Sequence, residues 1–196
     1  MSFRLEEKII CTKWELRKLQ KNLISEGLDY LYPTRLIRSY YFDTYRMQMY
    51  LDSEEGIVPR KKLRIRDYPN ENSEKAIETK ISSFEGRFKK SKKLTINENK
   101  TLLKNGKIDK LYGLCNAKII VLYQRSYFIL KNIRITFDEN IKYFKINSSI
   151  EANENYNVME IKTQDMNSKD YLNKLIPYPR RRFSKYSRGC EFLNLV

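Results

Sequence analysis

Charged side chains recur at every second position in several segments of this 196-residue sequence. Residues two apart on an extended strand lie on one face, about 6–7 Å from each other, so each set forms a row of charge. The residues between them are largely apolar, as at Leu63, Ile65 and Ile135. The rows are Arg4, Glu6 and Lys8; Lys62, Arg64 and Arg66; Glu78 and Lys80; Lys90 and Lys92; Tyr123, Arg125 and Tyr127; Arg134, Thr136 and Asp138; and Glu160 and Lys162.

These rows contain more cations than carboxylates. A solvated outer face would explain one row, but the recurrence in so many segments favours a polar interior shared by several strands. Such an interior repels itself when empty, so it should hold a multiply charged anion. Arg binds phosphate oxygens through two parallel hydrogen bonds and Lys acts as a point charge. The pattern therefore indicates a barrel whose interior binds a chain of phosphates.

The composition limits the chemistry further. Lys and Arg number 39 and Asp and Glu 24, a net charge of +15, which favours an anionic partner such as nucleic acid, a phosphate compound or a membrane surface. The absence of His excludes Ser–His and Cys–His nucleophiles and His-ligated zinc. Three scattered Cys indicate reduced thiols, and no apolar run is long enough for a signal peptide or a membrane span. We expect a soluble cytoplasmic protein.

The elements that position these rows follow from periodicity and turn residues. Helical spacing predicts helices at Trp14–Glu26 and Ser168–Leu175, and one or two short helices over Asn97–Cys115 that are broken at Asn105-Gly106. Residues 180–189 fit no clear type. Together the elements predict an α+β fold, mostly β: an antiparallel closed β-barrel tunnel of about eight strands with a few peripheral helices, in a single domain spanning residues 1–196. The predicted strands are Phe3–Cys11, Leu36–Thr44, Lys61–Tyr68, Lys75–Ser82, Arg87–Ile96, Lys118–Leu130, Ile133–Asp138, Lys142–Ile146 and Tyr156–Thr163.

Eight short motifs, in order along nearly the whole chain, resemble those of a known family. The sequence is similar to the catalytic domain of the vacuolar transporter chaperone (VTC) complex, the polyphosphate polymerase, which is a branch of the CYTH-like triphosphate tunnel metalloenzymes. Each motif alone is weak, and their shared order makes the resemblance specific. The motifs are Arg4 to Lys8, Tyr41 to Thr44, Lys62 to Arg66, Glu78 to Lys80, Tyr123 to Arg125, Arg134 to Asp138, Met159 to Lys162 and Phe183 to Tyr186.

The resemblance implies roles for individual residues. Glu160, assisted by Glu6, would hold Mn²⁺ or Mg²⁺. Where the family commonly has Lys-x-Arg, this sequence has Lys90-Ser91-Lys92, so either Lys could bind phosphate. The implied catalytic, phosphate-binding cations are Lys8, Arg64, Arg66, Lys80, Arg125, Arg134, Lys162 and Lys185. The implied substrate contacts are Lys90, Lys92, Tyr123 and Ser184.

Arg4 separates two branches of this superfamily. Triphosphatases and class IV-type cyclases of the fold resemble Glu-x-Glu-x-Lys, and here Arg4 stands at the first position. An Arg in place of a carboxylate removes a metal ligand and adds a phosphate contact, which favours the polymerase-like branch. An Arg4–Glu6 surface pair is the simpler alternative.

Three other features have plainer explanations. Tyr41 to Thr44 suit packing and a strand end, so we expect a structural role for them. Glu78 is expected to pair with neighbouring cations. The Arg180–Arg182 run is either a solvated basic surface or a patch that steers polyanions towards the site.

The resulting prediction is a metal-dependent phosphotransferase, similar to a polyphosphate polymerase, that moves the γ-phosphoryl group of a nucleoside triphosphate onto a polyphosphate chain. Its expected partners are these two phosphate compounds, and no specific nucleic acid. The phosphate-sensing (SPX) and membrane segments of the eukaryotic proteins are absent from the sequence, so a membrane-associated partner protein could supply them. The alternatives are a tunnel triphosphatase and a non-catalytic module that binds polyphosphate or RNA.

Overall fold

The computed structural model describes residues 5–71, 74–164 and 168–196, so the predicted role of Arg4 falls outside the described residues. Within these ranges the chain forms ten strands and five helices. The strands are β1 (Leu5–Cys11), β2 (Asp29–Asp43), β3 (Arg60–Asp67), β4 (Ala76–Ser83), β5 (Gly86–Lys93), β6 (Lys107–Asp109), β7 (Gly113–Leu130), β8 (Ile133–Lys145), β9 (Glu151–Asn153) and β10 (Asn157–Thr163). The helices are α1 (Lys13–Ser25), α2 (Gln48–Glu55), α3 (Ile96–Asn105), α4 (Ser168–Leu175) and α5 (Lys185–Phe192).

The principal strands follow the order β1-β10-β8-β7-β2-β3-β4-β5, with β6 pairing beside β7 and β9 beside β8. The pairs β1–β10, β10–β8, β2–β3, β3–β4 and β4–β5 are all antiparallel. The predicted fold class, α+β with a mostly antiparallel sheet of eight principal strands and a few helices, is confirmed. Among the described residues, no helix combines the length and apolar character needed to cross a bilayer.

The chain divides into two compact units. The first unit comprises Met1–Leu36, Tyr123–Ile141 and Asn153–Phe183, and the second unit comprises Ile37–Leu122, Lys142–Ala152 and Ser184–Val196. Strands β2, β7, β8 and β9 contribute residues to both units. The assignment of residues 1–196 to one domain stays a prediction.

The first unit buries an apolar core between one face of its sheet and the helices α1 and α4. Helix α1 begins with a capping box, in which Thr12 and Glu15 satisfy each other's backbone N–H groups, and its apolar stripe packs inward. The sheet contributes the residues that alternate with the charged rows, so burial of one face leaves the charges on the other. The core includes Ile9, Leu16, Leu19, Leu23, Phe128, Ile135, Phe137, Met159, Ile161, Leu172 and Ile176.

The second unit repeats this division of faces on β2, β3 and β4. Helix α3 also begins with a capping box, formed by Thr95 and Glu98, and packs Leu102 and Leu103 against the core. Helix α2 is capped by the end of β2, because the Asp43 carboxylate accepts hydrogen bonds from the N–H groups of Met49 and Tyr50. The core includes Phe42, Met49, Leu63, Ile65, Ile77, Leu94 and Cys115.

Candidate functional site: two cationic faces

The first cationic face lies on β1, β10 and β8 of the first unit. Glu6 stands opposite Lys162, and Lys8 opposite Glu160, across the β1–β10 ladder. On the other side of β10, Lys162 stands opposite Arg134. Directly opposed residues share a face of an antiparallel sheet, so the predicted rows on these three strands do lie together.

Arg125 of β7 is held on this face by two carboxylates. Its Nε and Nη2 donate to Asp138 at 2.5 and 2.6 Å, and Nη2 also donates to Glu160 at 3.2 Å. Only 9% of Arg125 is exposed. Burial disfavours its charge, but Asp138 first, then Tyr123 and Glu160, raise the pKa of Arg125 well above its ordinary value. The guanidinium is therefore a fixed, permanent cation, and its face lies over the Tyr123 ring at 5.4 Å.

Glu160 is the carboxylate at the centre of this face. Its Oε1 lies 2.5 Å from Lys162 Nζ, and Glu6 Oε2 lies 3.6 Å from the same Nζ. Burial disfavours the ionised form, but Arg125, Lys162 and Lys8 hold the pKa of Glu160 well below its ordinary value. Glu160 is therefore an anion throughout the neutral range.

These carboxylates limit how a metal could bind. In the described part of the chain, no cluster of three or more Cys, Asp or Glu side chains is arranged to hold an ion. Glu160 and Glu6 are two carboxylates beside one lysine, and Mg²⁺ commonly uses one or two carboxylates together with substrate phosphates and water. The residues fit an ion that takes most of its ligands from phosphate.

Two further cations complete the first face. Lys8 Nζ donates to the Phe183 carbonyl at 2.8 Å, which fixes the position of its ammonium. The Arg134 guanidinium lies over the Tyr127 ring at 5.5 Å. All predicted site residues of the first unit that the structure describes are thus on one face.

The second cationic face lies on β3, β4 and β5 of the second unit. Glu78 is its anchor, because its Oε2 accepts from Arg64 Nε at 2.7 Å and Nη2 at 2.6 Å, and its Oε1 accepts from Lys89 at 2.6 Å. Burial disfavours ionisation, but Arg64, Arg66 and the hydrogen bonds from Lys89 and Arg64 lower the pKa of Glu78 to about 2. The expected pairing of Glu78 with neighbouring cations is confirmed.

Three lysines form a row across this face. Lys62 stands opposite Lys80 on β3–β4, and Lys80 stands opposite Lys89 on β4–β5. Like charges directly opposite each other destabilise a sheet. The first face has a corresponding like-charged pair, Lys162 and Arg134. This arrangement has a cost in free energy that a bound anion would offset.

Ser184 and Lys185 enter the second unit at the start of α5. The Ser184 hydroxyl accepts from Lys62 Nζ at 2.8 Å and from the Ser187 N–H at 3.3 Å, so it both caps α5 and fixes a lysine of the row. Lys185 is the first residue of α5 and is half-buried. The structure therefore joins Ser184, a predicted substrate contact, to the second face.

The register corrects the prediction for β5. Lys90 stands opposite Thr79 and Lys92 opposite Ile77, so both lie on the side of the apolar core rather than with Arg64 and Lys80. Lys92 instead pairs with Glu98 of α3 at 2.7 Å. Lys89 occupies the position on the cationic face, so we replace Lys90 and Lys92 by Lys89 in the candidate site.

Several buried polar atoms on the described parts of these faces have no hydrogen-bond partner. Among the described residues, six buried side-chain N or O atoms lack a hydrogen-bond partner. Four of the six belong to the two faces by register: Ser39 Oγ and Arg66 Nε, which are opposed on β2–β3, and Arg134 Nε and Thr136 Oγ1 on β8. Buried polar atoms are normally satisfied, so both faces have unused hydrogen-bonding capacity where a ligand or water would be bound.

The three arginines of the Arg180–Arg182 run do not all lie in the same environment. Arg180 donates to Glu7 at 2.8 Å and to the carbonyls of Ile176 and Tyr178, so it is a structural residue of the first unit. Arg181 and Arg182 have exposed side chains. The predicted basic surface is limited to these two.

The sequence pattern missed Lys89 and gave little weight to Asp138 and Lys62. Lys89 belongs to Gly86–Lys93, where polar residues occupy both faces, so no alternation shows which residues lie on the cationic face. Asp138 and Lys62 belong to the rows of charge at every second position, and this periodicity was the signal in the sequence that could have assigned them to the site.

Comparisons with solved structures identify the fold. A candidate adenylate cyclase from Bacillus halodurans aligns with a TM-score of 0.67 and 15% identity over 96% of this chain and 98% of that chain. A candidate adenylyl cyclase from Hippeastrum, for which a dominant triphosphatase activity is described, aligns with a TM-score of 0.61 and 15% identity over 96% of both chains. A Pyrococcus horikoshii protein aligns with a TM-score of 0.59 and 14% identity over 96% of this chain and 99% of that chain. At these identities the likeness concerns the fold alone.

No curated protein matches the sequence. The VTC domain family matches residues 3–194, which is nearly the whole chain and includes both cationic faces. The order of motifs, the antiparallel fold and this match agree, and the chain belongs to the VTC domain family.

Proposed function

We propose that this protein is a phosphotransferase that moves the γ-phosphoryl group of a nucleoside triphosphate onto a polyphosphate chain. The observation that carries the proposal is the set of like-charged neighbours on its sheet, Lys62–Lys80–Lys89 and Lys162–Arg134. Such neighbours repel each other unless an anion lies on them. Membership of the VTC domain family supports phosphate chains as that anion.

The residues of the site would act by positioning and by charge. In the reaction, the bond between the γ-phosphorus and the bridging oxygen of ADP breaks, and a bond forms to a terminal oxygen of the phosphate chain. That oxygen is already ionised near neutral pH, so the step needs no strong general base and the absence of His is no obstacle. Arg125, fixed by Asp138 on the first face, and Arg64, fixed by Glu78 on the second, would each bind phosphate oxygens on their own face and offset negative charge there.

Glu160 and Glu6 are the residues that would hold a divalent ion, Mn²⁺ or Mg²⁺, together with substrate oxygens. When bound, such an ion neutralises charge on the phosphates. Lys162, which lies beside both carboxylates, would hold them in place and contribute a further positive charge.

The test is an incubation with ATP, a short polyphosphate primer and Mn²⁺ or Mg²⁺, with products resolved by gel electrophoresis and phosphorus NMR. We expect the chains to lengthen as ADP forms, and Arg64→Ala to abolish this growth. Release of free phosphate without chain growth would instead identify a triphosphatase. Binding of polyphosphate without turnover of ATP would identify a binding module.

A further inference from the structure

Tyr41 lies on the second cationic face, among the side chains proposed to bind phosphate. It stands opposite Arg64 on the β2–β3 ladder, and Arg64 Nη1 donates to the Tyr41 hydroxyl at 3.0 Å. The Arg64 guanidinium also lies 5.8 Å from the centre of the Tyr41 ring. The hydroxyl is therefore placed beside the guanidinium that Glu78 fixes from its other edge.

The ring of Tyr41 is held in one orientation. It stacks on Tyr186 with 5.0 Å between ring centres and 22° between planes, and the Tyr186 hydroxyl donates to Asp43 at 2.5 Å. The Tyr41 side chain is mostly enclosed, with 8% of the residue exposed. In the part of the chain that the structure describes, its hydroxyl has Arg64 as a donor and has no acceptor for its own proton.

We propose that Tyr41 is a further anion-binding residue, whose hydroxyl accepts from Arg64 and donates its proton to a phosphate oxygen bound by Arg64. This inference rests on the proposed function, since it deepens the same site. The packing role expected for Tyr41 from the sequence applies to its ring, and the hydroxyl adds a second role. A fixed donor beside Arg64 would complete the hydrogen bonding of a phosphate group that a guanidinium alone binds from one side.

The charge around Tyr41 makes this role sensitive to pH. Burial raises the pKa of Tyr41, but Arg64, Arg66 and Lys80 lower it more, to about 8. Above that pH the side chain is a phenolate, which has no proton to donate and repels phosphate. The charged and titratable groups that face it are Lys62, Arg64 and Arg66 from β3, Glu78 and Lys80 from β4, Lys89 from β5, and Tyr186 from α5.

The experiment compares the affinity of inorganic tripolyphosphate for the wild type, Tyr41→Phe and Tyr40→Phe by calorimetry at several pH values. Tyr41→Phe keeps the stacked ring and removes only the hydroxyl. Tyr40 is the matched control, because it precedes Tyr41 on β2 and lies on the opposite face, against Ile65. Ionisation of tripolyphosphate and of all other residues affects the three proteins alike, so only the ratio of their affinities is used.

At about pH 7 we expect Tyr41→Phe to bind about tenfold or more weakly than the wild type, the loss typical of a hydrogen bond to a charged group. Above about pH 8 the wild type should lose this advantage by about tenfold per pH unit, because binding must first return one proton to Tyr41. The two affinities should therefore converge by about pH 9.5. Tyr40→Phe should follow the wild type at every pH.

A difference between Tyr41→Phe and the wild type that stays constant with pH would overturn the proposal, because a residue that only positions Arg64 gives that result. Equal affinities at neutral pH would also overturn it. If Tyr41→Phe does not fold, the absorbance of tyrosinate in the wild type gives the answer. One of its 15 tyrosines should ionise near pH 8, and the midpoint of that ionisation should shift to higher pH when tripolyphosphate is added. Absence of that transition overturns the role of Tyr41. Failure of the wild type to bind tripolyphosphate would overturn the proposed function itself.

Discussion

Glu160 has one role that its ion pairs show and a second role that we propose. It is 6% exposed and bridges Lys162 and Arg125, so it reduces the repulsion between cations in the resting protein. The same oxygens are the ones that would contribute to a metal once phosphate adds its own ligands. Removing its charge should therefore affect both stability and the response to the metal.

We predict that Glu160→Gln abolishes metal-dependent turnover at limiting Mn²⁺, or raises the Mn²⁺ concentration needed for half-maximal rate by at least about tenfold. The variant should fold, because Asp138 still pairs with Arg125, but it should melt at a lower temperature. Turnover measured over a range of Mn²⁺ concentrations, alongside a thermal melt, separates the two effects. A variant that melts earlier and yet retains the wild-type Mn²⁺ dependence would show that Glu160 is not a ligand.

Glu78 leads to a prediction about acid stability. Its pKa is lowered from an ordinary 4.5 to about 2, so its contribution to folding is complete above about pH 4.5 and is lost as the pH falls towards 2. The size of that contribution is on the order of 3 kcal/mol. Glu78→Gln should be less stable than the wild type at neutral pH, and should lose less stability than the wild type on acidification.

Denaturant unfolding at a series of pH values measures this effect. Glu85→Gln is the control, because Glu85 is an exposed carboxylate in the turn between β4 and β5. If Glu78→Gln and the wild type lose stability in parallel below pH 4.5, the ion pairs of Glu78 do not stabilise the fold.

At the level of secondary structure, two adjacent lysines of β5 can be used to test which of its side chains lie on the cationic face. Lys89 lies on the cationic face with half of its side chain exposed, and Lys90 lies on the opposite face. We predict that Lys89→Ala weakens tripolyphosphate binding by about fivefold, whereas Lys90→Ala has little effect, because only the first removes a charge beside the phosphate. Both variants remove one positive charge from the same strand. Equal losses in a calorimetric titration, or a larger loss for Lys90→Ala, would reject the register as the guide to the site.

The strands were predictable where burial of one face enforces alternation. β3, β4 and β10 agree with the sequence pattern within one residue at each end, and the charged rows on β1, β8 and β10 fall on one face as predicted. On β5 the pattern fails because Arg87, Lys89, Lys90, Lys92 and Lys93 place charge on both sides of an edge strand. In such a strand, the register with β4 decides which side chains lie on which face of the sheet, and the local sequence does not determine that register.

Two helices were missed, α2 because of its cap and α5 because of an internal glycine. The cap of α2 is the Asp43 carboxylate at the end of the preceding strand, and Met47 at the helix start has a positive φ of 57°. Helix α5 contains Gly189, where an added Cβ would lie 2.6 Å from Ile119 and 2.8 Å from Tyr143. Gly189 weakens the local helix signal but allows close packing, a benefit that only the tertiary structure reveals.

The segment Asn97–Cys115 was predicted correctly only in its first half. One or two short helices broken at Asn105-Gly106 were expected, and α3 does end at Asn105, but β6 and the start of β7 follow the break instead of a second helix. Gly106 ends α3 with a φ of 79°, and an added Cβ there would lie 2.6 Å from the Cys115 carbonyl oxygen. Pairing of Lys107–Asp109 with Gly113–Cys115 in a short hairpin outweighs the helical propensity of the segment.

For the whole molecule, the distribution of the net charge of +15 matters more than its size. Two faces collect cations in ordered rows fixed by buried carboxylates, while Arg181 and Arg182 are exposed elsewhere. The motifs in the sequence indicated the family and the fold class, and both are confirmed. The ion-pair partners of Arg64 and Arg125 required the structure, because they depend on the register between neighbouring strands.

Specific sites and diffuse positive charge respond differently to salt, and a calorimetric titration with tripolyphosphate distinguishes them. Arg64 is 9% exposed and lies on the second cationic face, whereas the Arg181 side chain is exposed to solvent. Arg64→Ala should weaken binding by about 10- to 150-fold, the value of a charge-assisted hydrogen bond, and Arg181→Ala by far less. Raising the salt concentration from about 0.1 to 0.5 M should leave the difference between the two variants in place. Equal losses that disappear together in salt would identify a diffuse polyanion-binding surface and contradict the proposed phosphotransferase site.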